Sequence, residues 1–126
     1  NKIESVREFA EKHNVILILK GERSLIAAPN GTVVINPTGN AGISRAGSGD
    51  TLTGIITAFL AQTFAREKSN LKNAFETVVA ALYVAGLAGD IAAEKFSQRL
   101  MTASDIRDCL QEAIQTITNY ELQITK

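Results

Sequence analysis

Near its start the chain runs VILILKG, and Val15 to Leu19 are apolar at every position. A strand with one face in water alternates apolar and polar residues. A run without alternation reads as a strand covered on both faces, the usual pattern of a parallel sheet between layers of helices. Just before it, residues 2–12 (KIESVREFAEK) set Ile3, Val6, Phe9 and Ala10 on one face at helical spacing, and His13-Asn14 ends the segment. Helix followed by such a strand is half of a βαβ unit. The expected fold class is therefore α/β, with a parallel central sheet flanked by helices. The first strand of that unit would lie upstream of Asn1. The chain opens on Asn1 rather than Met, and its 126 residues are enough for one domain. It reads as a single domain over residues 1–126, the C-terminal portion of something longer. A missing N-terminal half or a homo-oligomer partner would then cover the open sheet edge.

The remaining elements follow from punctuation and period. SLIAAPNGTVVINP holds two short strands, Leu25 to Ala28 and Thr32 to Ile35, with Pro29-Asn30-Gly31 as the hairpin turn between them. A helix from about Ser48 to Ala65 carries Leu52, Ile55, Ile56, Phe59 and Leu60 on one face. A second runs from about Leu71 to Ala93, capped by Ser69 or Asn70. Its middle, AALYVAGLAGDIAA, is dense in Ala and Gly, which points to close backbone packing. Thr102 or Ser104 caps a last helix ending near Thr118, and NYELQITK reads as a tail or edge strand.

Composition narrows the partners. Lys+Arg and Asp+Glu are both 13, so the formal net charge is zero, and no basic excess points to nucleic acid or an anionic membrane. VILIL is far short of a membrane span. The single cysteine, Cys109, fits a reducing compartment, and a cytoplasmic location is expected. Cys109 and His13 are read as a core residue and an exposed helix-end residue.

The chemistry concentrates in residues 36–62, NPTGNAGISRAGSGDTLTGIITAFLAQ, where five glycines run directly into a helix. The P-loop pattern fails, because no lysine follows the glycines. The dinucleotide pattern fails, because Leu52 stands where a third glycine is needed after Gly47 and Gly49. A nucleophile elbow fails on spacing, and no His/Cys cluster could hold zinc. A helix beginning at Ser48 or Gly49 leaves its first amides unpaired at the positive end of the dipole. Glycines let a ligand approach that backbone closely, as phosphate or a developing oxyanion requires. Asp50 then stands in the first turn beside the cradle. Amides plus a carboxylate base make a layout for phosphoryl transfer to a hydroxyl. A plain glycine turn with Asp50 as an ordinary helix-start residue has the same appearance, and physics alone leaves both readings open.

The string PTGNAGISRAGSGDTLTGII resembles the signature of the NAD(P)H-hydrate dehydratases, a branch of the ribokinase-like superfamily. LKGERSLIAAPNG before it, YVAGLAGDIAAE after it and the late TASDI are similar to the family in order and spacing. The resemblance implies a ribokinase-like fold and an ADP- or ATP-dependent dehydration of the S-epimer of hydrated NADH or NADPH, with Mg2+ accompanying the nucleotide. It implies Asp50 as the catalytic base next to the substrate, and Gly47, Ser48 and Gly49 as an anion hole. It assigns Lys20, Gly21, Glu22, Arg23 and Ser24, with Gly49, to nucleotide, and Asn40 and Gly42 to the substrate-side loop. Lys20 alone also reads as a solvated strand end. Arg45, Ala46 and Ala85 depart from the family's usual residues, and Arg45 either adds a cation to the phosphate path or points to solvent. The alternatives are a ribokinase-like kinase for a small alcohol, such as a vitamin precursor or sugar, and a nucleotide-binding module without catalysis.

Overall fold

The computed structural model describes residues 1–124. Helix α1 (Lys2–His13) starts at Asn1, whose side chain accepts from the Ile3 amide, and stops at Asn14 in the left-handed conformation. Three strands follow, β1 (Leu17–Leu19), β2 (Leu25–Ala27) and β3 (Val33–Ile35), in the spatial order β1-β2-β3. Both pairings are antiparallel, with Ile26 opposite Ile18 on one side and Val34 on the other. The hairpin at Pro29-Asn30-Gly31 is where the turn residues placed it.

The expected parallel neighbour of VILIL is therefore not found among the described residues. The reason is physical. An unalternating run reports cover on two faces, and it carries no information on strand direction. Both covers are present: Leu17, Leu25, Ala27 and Val33 pack with Val6 and Ala10 of α1. On the other face Ile16, Ile18, Ile26 and Val34 pack with Val78 and Leu82. Within α1, Val6 and Ala10 are buried as expected, whereas Phe9 is half exposed and lies against His13.

Helices α2 (Ser48–Arg66) and α3 (Leu71–Leu100) form the second layer. Leu52, Ile55, Ile56 and Phe59 of α2 pack on Ala81 and Ala85 of α3, so the stripe read from the sequence is the buried one. Asn70 caps α3 by accepting from the Asn73 amide at 2.8 Å. This helix runs past the expected Ala93, with a break in its geometry at Ser97 (φ 67). By length and composition α3 could cross a bilayer, but half of its apolar stretch is buried inside the fold. Thr102 makes a reciprocal cap with Asp105 and starts α4 (Ala103–Asp108), followed by α5 (Leu110–Ile124). The segment expected as a tail or edge strand is the end of α5 up to Ile124, and residues 125–126 lie outside the described residues. Cys109 sits in the core among Met101, Ile106 and Ala113.

Candidate functional site

The loop from Asn36 to Gly47 connects the sheet to α2 and lies along α3. It is tied there by side chains at alternating positions. Asn36 donates to the Leu82 carbonyl (3.1 Å), Thr38 to the Tyr83 carbonyl (2.9 Å), and Asn40 to the Gly89 carbonyl (3.1 Å). Close approach is possible only because α3 lacks side chains at two points. A Cβ on Gly86 would collide with Thr38, and one on Gly89 with Ile43. This is the close packing anticipated from the Ala/Gly-rich stretch of α3.

After a 3-10 turn at Ala41–Ile43, the chain turns into α2 at Gly47, whose φ of 83 is costly for any residue with a Cβ. No side chain caps this helix start. The Ser48 amide donates to the Arg45 carbonyl and the Thr51 amide to the Gly47 carbonyl. Among the described residues the Gly49 and Asp50 amides have no such acceptor. Ser48 is buried, and Gly49 and Asp50 are exposed.

A cleft of about 360 Å³ opens beside this helix start, at the small end of ligand-sized cavities. Of the residues singled out from sequence, Lys20, Gly21, Glu22, Ser24, Asn40 and Ser48 line it. Gly47, Gly49 and Asp50 stand at its side, adjoining the lining residues Ser48 and Thr51. The two segments expected at one site do meet, because a Cβ on Gly49 would lie 3.6 Å from Lys20 Nζ. Arg23 is not in the lining; its guanidinium donates to the Pro37 carbonyl and ties the two loops together. Gly42 is buried and also off the cleft wall. A Cβ there would stand 2.8 Å from both Asn40 Oδ1 and the Gln98 carbonyl, so its smallness serves packing. Arg45 takes neither of its two expected roles alone. It borders the cleft while donating to the Gln98 (2.8 Å) and Arg99 (2.7 Å) carbonyls, closing the end of α3. Ala85 also lines the cleft.

Sequence reasoning missed Asn36, Thr38 and Asp90. Asp90 accepts from the Gly39 amide and the Asn40 side chain. The signal was available as a period of two in polar residues at 36, 38 and 40, facing a Gly-x-x-Gly-Asp run in a helix.

Residues 1–112 match the sequence profile of the NAD(P)H-hydrate dehydratases. The chain belongs to that family. It is 40% identical over 117 residues to the bifunctional NAD(P)H-hydrate repair enzyme of Moorella thermoacetica, covering 93% of this chain and 21% of that protein. It is 31% identical over 109 residues to the ADP-dependent (S)-NAD(P)H-hydrate dehydratase of Bacillus subtilis, covering 86% and 37%. The crystal structure of the B. subtilis ADP/ATP-dependent dehydratase, co-crystallised with ATP/Mg2+, superposes with a TM-score of 0.79 at 29% identity. That match covers 92% of this chain and 39% of the other. This dehydratase-family chain thus spans well under half the length of these relatives. Its antiparallel sheet and helices are part of the α/β fold they share.

Proposed function

We propose that the protein carrying this chain removes water from the S-epimer of hydrated NADH or NADPH, coupled to ADP or ATP, and so restores the reduced cofactor. The observation that carries this reading is the meeting of Lys20 with the first turn of α2. An ammonium beside a helix N-terminus is repelled by the dipole, by about 0.3–1 kcal/mol on the scale of such effects. An anion lodged between them reverses the sign, because it is attracted by both. Phosphate is the anion that glycine-lined helix starts accommodate best.

A bound nucleotide would supply the phosphoryl group that turns the substrate hydroxyl into a leaving group. Asp50 is exposed and without a hydrogen-bond or ion-pair partner among the described residues, so it can accept the hydroxyl proton as the new O–P bond forms. The Gly49 and Asp50 amides and the Lys20 ammonium hold the negative charge on the transferring group, while the Ser48 amide stays paired with the Arg45 carbonyl. The substrate C–O bond then breaks, phosphate leaves, and a neighbouring proton departs as the ring double bond reforms. The described residues contain no cluster of three His, Cys, Asp or Glu side chains, so Mg2+ would be held chiefly by phosphate oxygens. A cleft of about 360 Å³ takes one small ligand. Two nucleotide-sized ligands need a second wall, which residues outside this chain would provide. A reducing, cytoplasmic setting is part of this proposal, from the use of a single cysteine in the sequence.

Product analysis tests the proposal. The intact protein, given (S)-hydrated NADH with ADP or ATP and Mg2+, should return NADH absorbance in step with inorganic phosphate. A stable phosphoester would instead make it a small-alcohol kinase. Nucleotide binding without turnover would make it a binding module.

A further inference from the structure

Asp90 has no part in the reaction as proposed, yet it faces the loop that borders the cleft. Its Oδ2 accepts from the Gly39 amide at 3.0 Å, and its Oδ1 accepts from Asn40 Nδ2 at 2.8 Å. The same Nδ2 donates to the Gly89 carbonyl at 3.1 Å, and Asn40 Oδ1 accepts from the Gly42 amide at 2.9 Å. Four hydrogen bonds thus link two adjacent residues of α3 and three loop residues through one carboxylate and one amide. Both groups facing the carboxylate are N–H donors, so a charged, acceptor-only side chain suits the position. Hydrogen bonds to an ionised acceptor are also about twice as strong as neutral ones. Beyond Gly42 the loop is short, and it leads through Arg45 and Gly47 into the first turn of α2.

We propose that Asp90 is a positioning residue for the reaction. Through Gly39 and Asn40 it fixes the loop, and through the loop it sets the first turn of α2 with its amides and Asp50, before any ligand arrives. The inference rests on the proposed reaction for the step it serves, while the clamp itself can be observed without ligand. The competing account is that Asp90 merely adds stability.

The test uses the intact protein with Asp90→Asn and Asp90→Glu. The control is Thr77→Ala, which removes the Thr63–Thr77 hydroxyl contact more than three turns away along α3. Backbone hydrogen exchange is measured first, without ligand. Asp90→Asn should speed exchange at the hydrogen-bonded amides between Gly39 and Ser48 on the order of tenfold, the scale of losing a charge-assisted bond, and leave α1 and the sheet unchanged. Its kcat should fall on the order of tenfold or more with a smaller change in KM, well below the melting temperature. Asp90→Glu keeps both acceptors and should fall between the two in exchange and in kcat. It is read by the same criteria should Asp90→Asn not fold. Thr77→Ala should lower Tm and leave kcat and KM in place. Unchanged loop exchange would overturn the clamp. Faster exchange with unchanged kcat and KM would overturn the positioning role and leave a structural one. Wild-type protein without turnover would instead sink the proposed reaction, and the exchange data would still decide whether Asp90 holds the loop.

Discussion

Gly86→Ala tests the close approach of loop and helix on which the cleft depends. In a helix interior this change is ordinarily favourable, by about 1 kcal/mol. Here the new methyl would collide with Thr38 Oγ1 and stand 2.8 Å from both the Thr38 Cβ and its carbonyl carbon. A flexible side chain could yield, but backbone at that distance cannot without moving the loop. Overpacking of this kind costs about 1–3 kcal/mol. Pushing Thr38 away also strains its 2.9 Å hydrogen bond to the Tyr83 carbonyl, worth about 1 kcal/mol. The net expectation is a loss of about 1–3 kcal/mol. Gly54→Ala in α2 is the matched comparison, since a Cβ there meets nothing within 4 Å. It should gain up to about 1 kcal/mol from the same propensity term. Urea unfolding of the intact protein reads both, with unchanged m confirming that only stability moved. Gly86→Ala should also weaken nucleotide binding, because Thr38 and Gly39 line the cleft. A Gly86→Ala protein as stable as wild type, or more so, would refute the claimed contact.

Asp50→Asn should reduce turnover by about 10²–10⁴-fold, the usual effect of losing a general base, and leave nucleotide affinity nearly intact; more than about a tenth of wild-type rate removes Asp50 from that role. Gly49→Val should weaken nucleotide binding in calorimetry, because its side chain would sit against Lys20 Nζ and block the amides. Burial pushes the Cys109 thiol above its ordinary pKa, so a thiol reagent at mildly alkaline pH should label it only after unfolding; rapid labelling of native protein would contradict its place in the core. The 126-residue chain alone should show no dehydratase turnover, because its cleft of about 360 Å³ takes one small ligand rather than substrate and nucleotide together; activity of that piece by itself would contradict this.

Periodicity and punctuation located α1, the hairpin, α2 and the Asn70 cap of α3, because each is governed by local rules. Strand direction was not legible. VILIL reports its two apolar neighbours, Val6 and Ala10 on one side and Val78 and Leu82 on the other, and that pattern is the same for either direction. The last residues of α5 were misread because a short amphipathic run with two β-branched residues fits strand or helix until its neighbours are known. At the site, the motif found the helix start and the Lys20 loop, where one segment carries its own chemistry. Asp90, Asn36 and Thr38 act across 45 or more positions of sequence. No local pattern states such a pairing, and only the folded chain shows that a helix's carbonyls and one carboxylate hold the loop.

The central claim is that phosphate of the bound nucleotide lies between Lys20 and the first turn of α2. A crystal structure of the intact protein with ADP or ATP and Mg2+ tests it most directly. The account predicts a phosphate group within hydrogen-bond distance of Lys20 Nζ and of the Gly49 or Asp50 amide, with the Asp50 carboxylate facing the space beside it. A nucleotide bound elsewhere, touching neither the Lys20–Ser24 loop nor the start of α2, would contradict it.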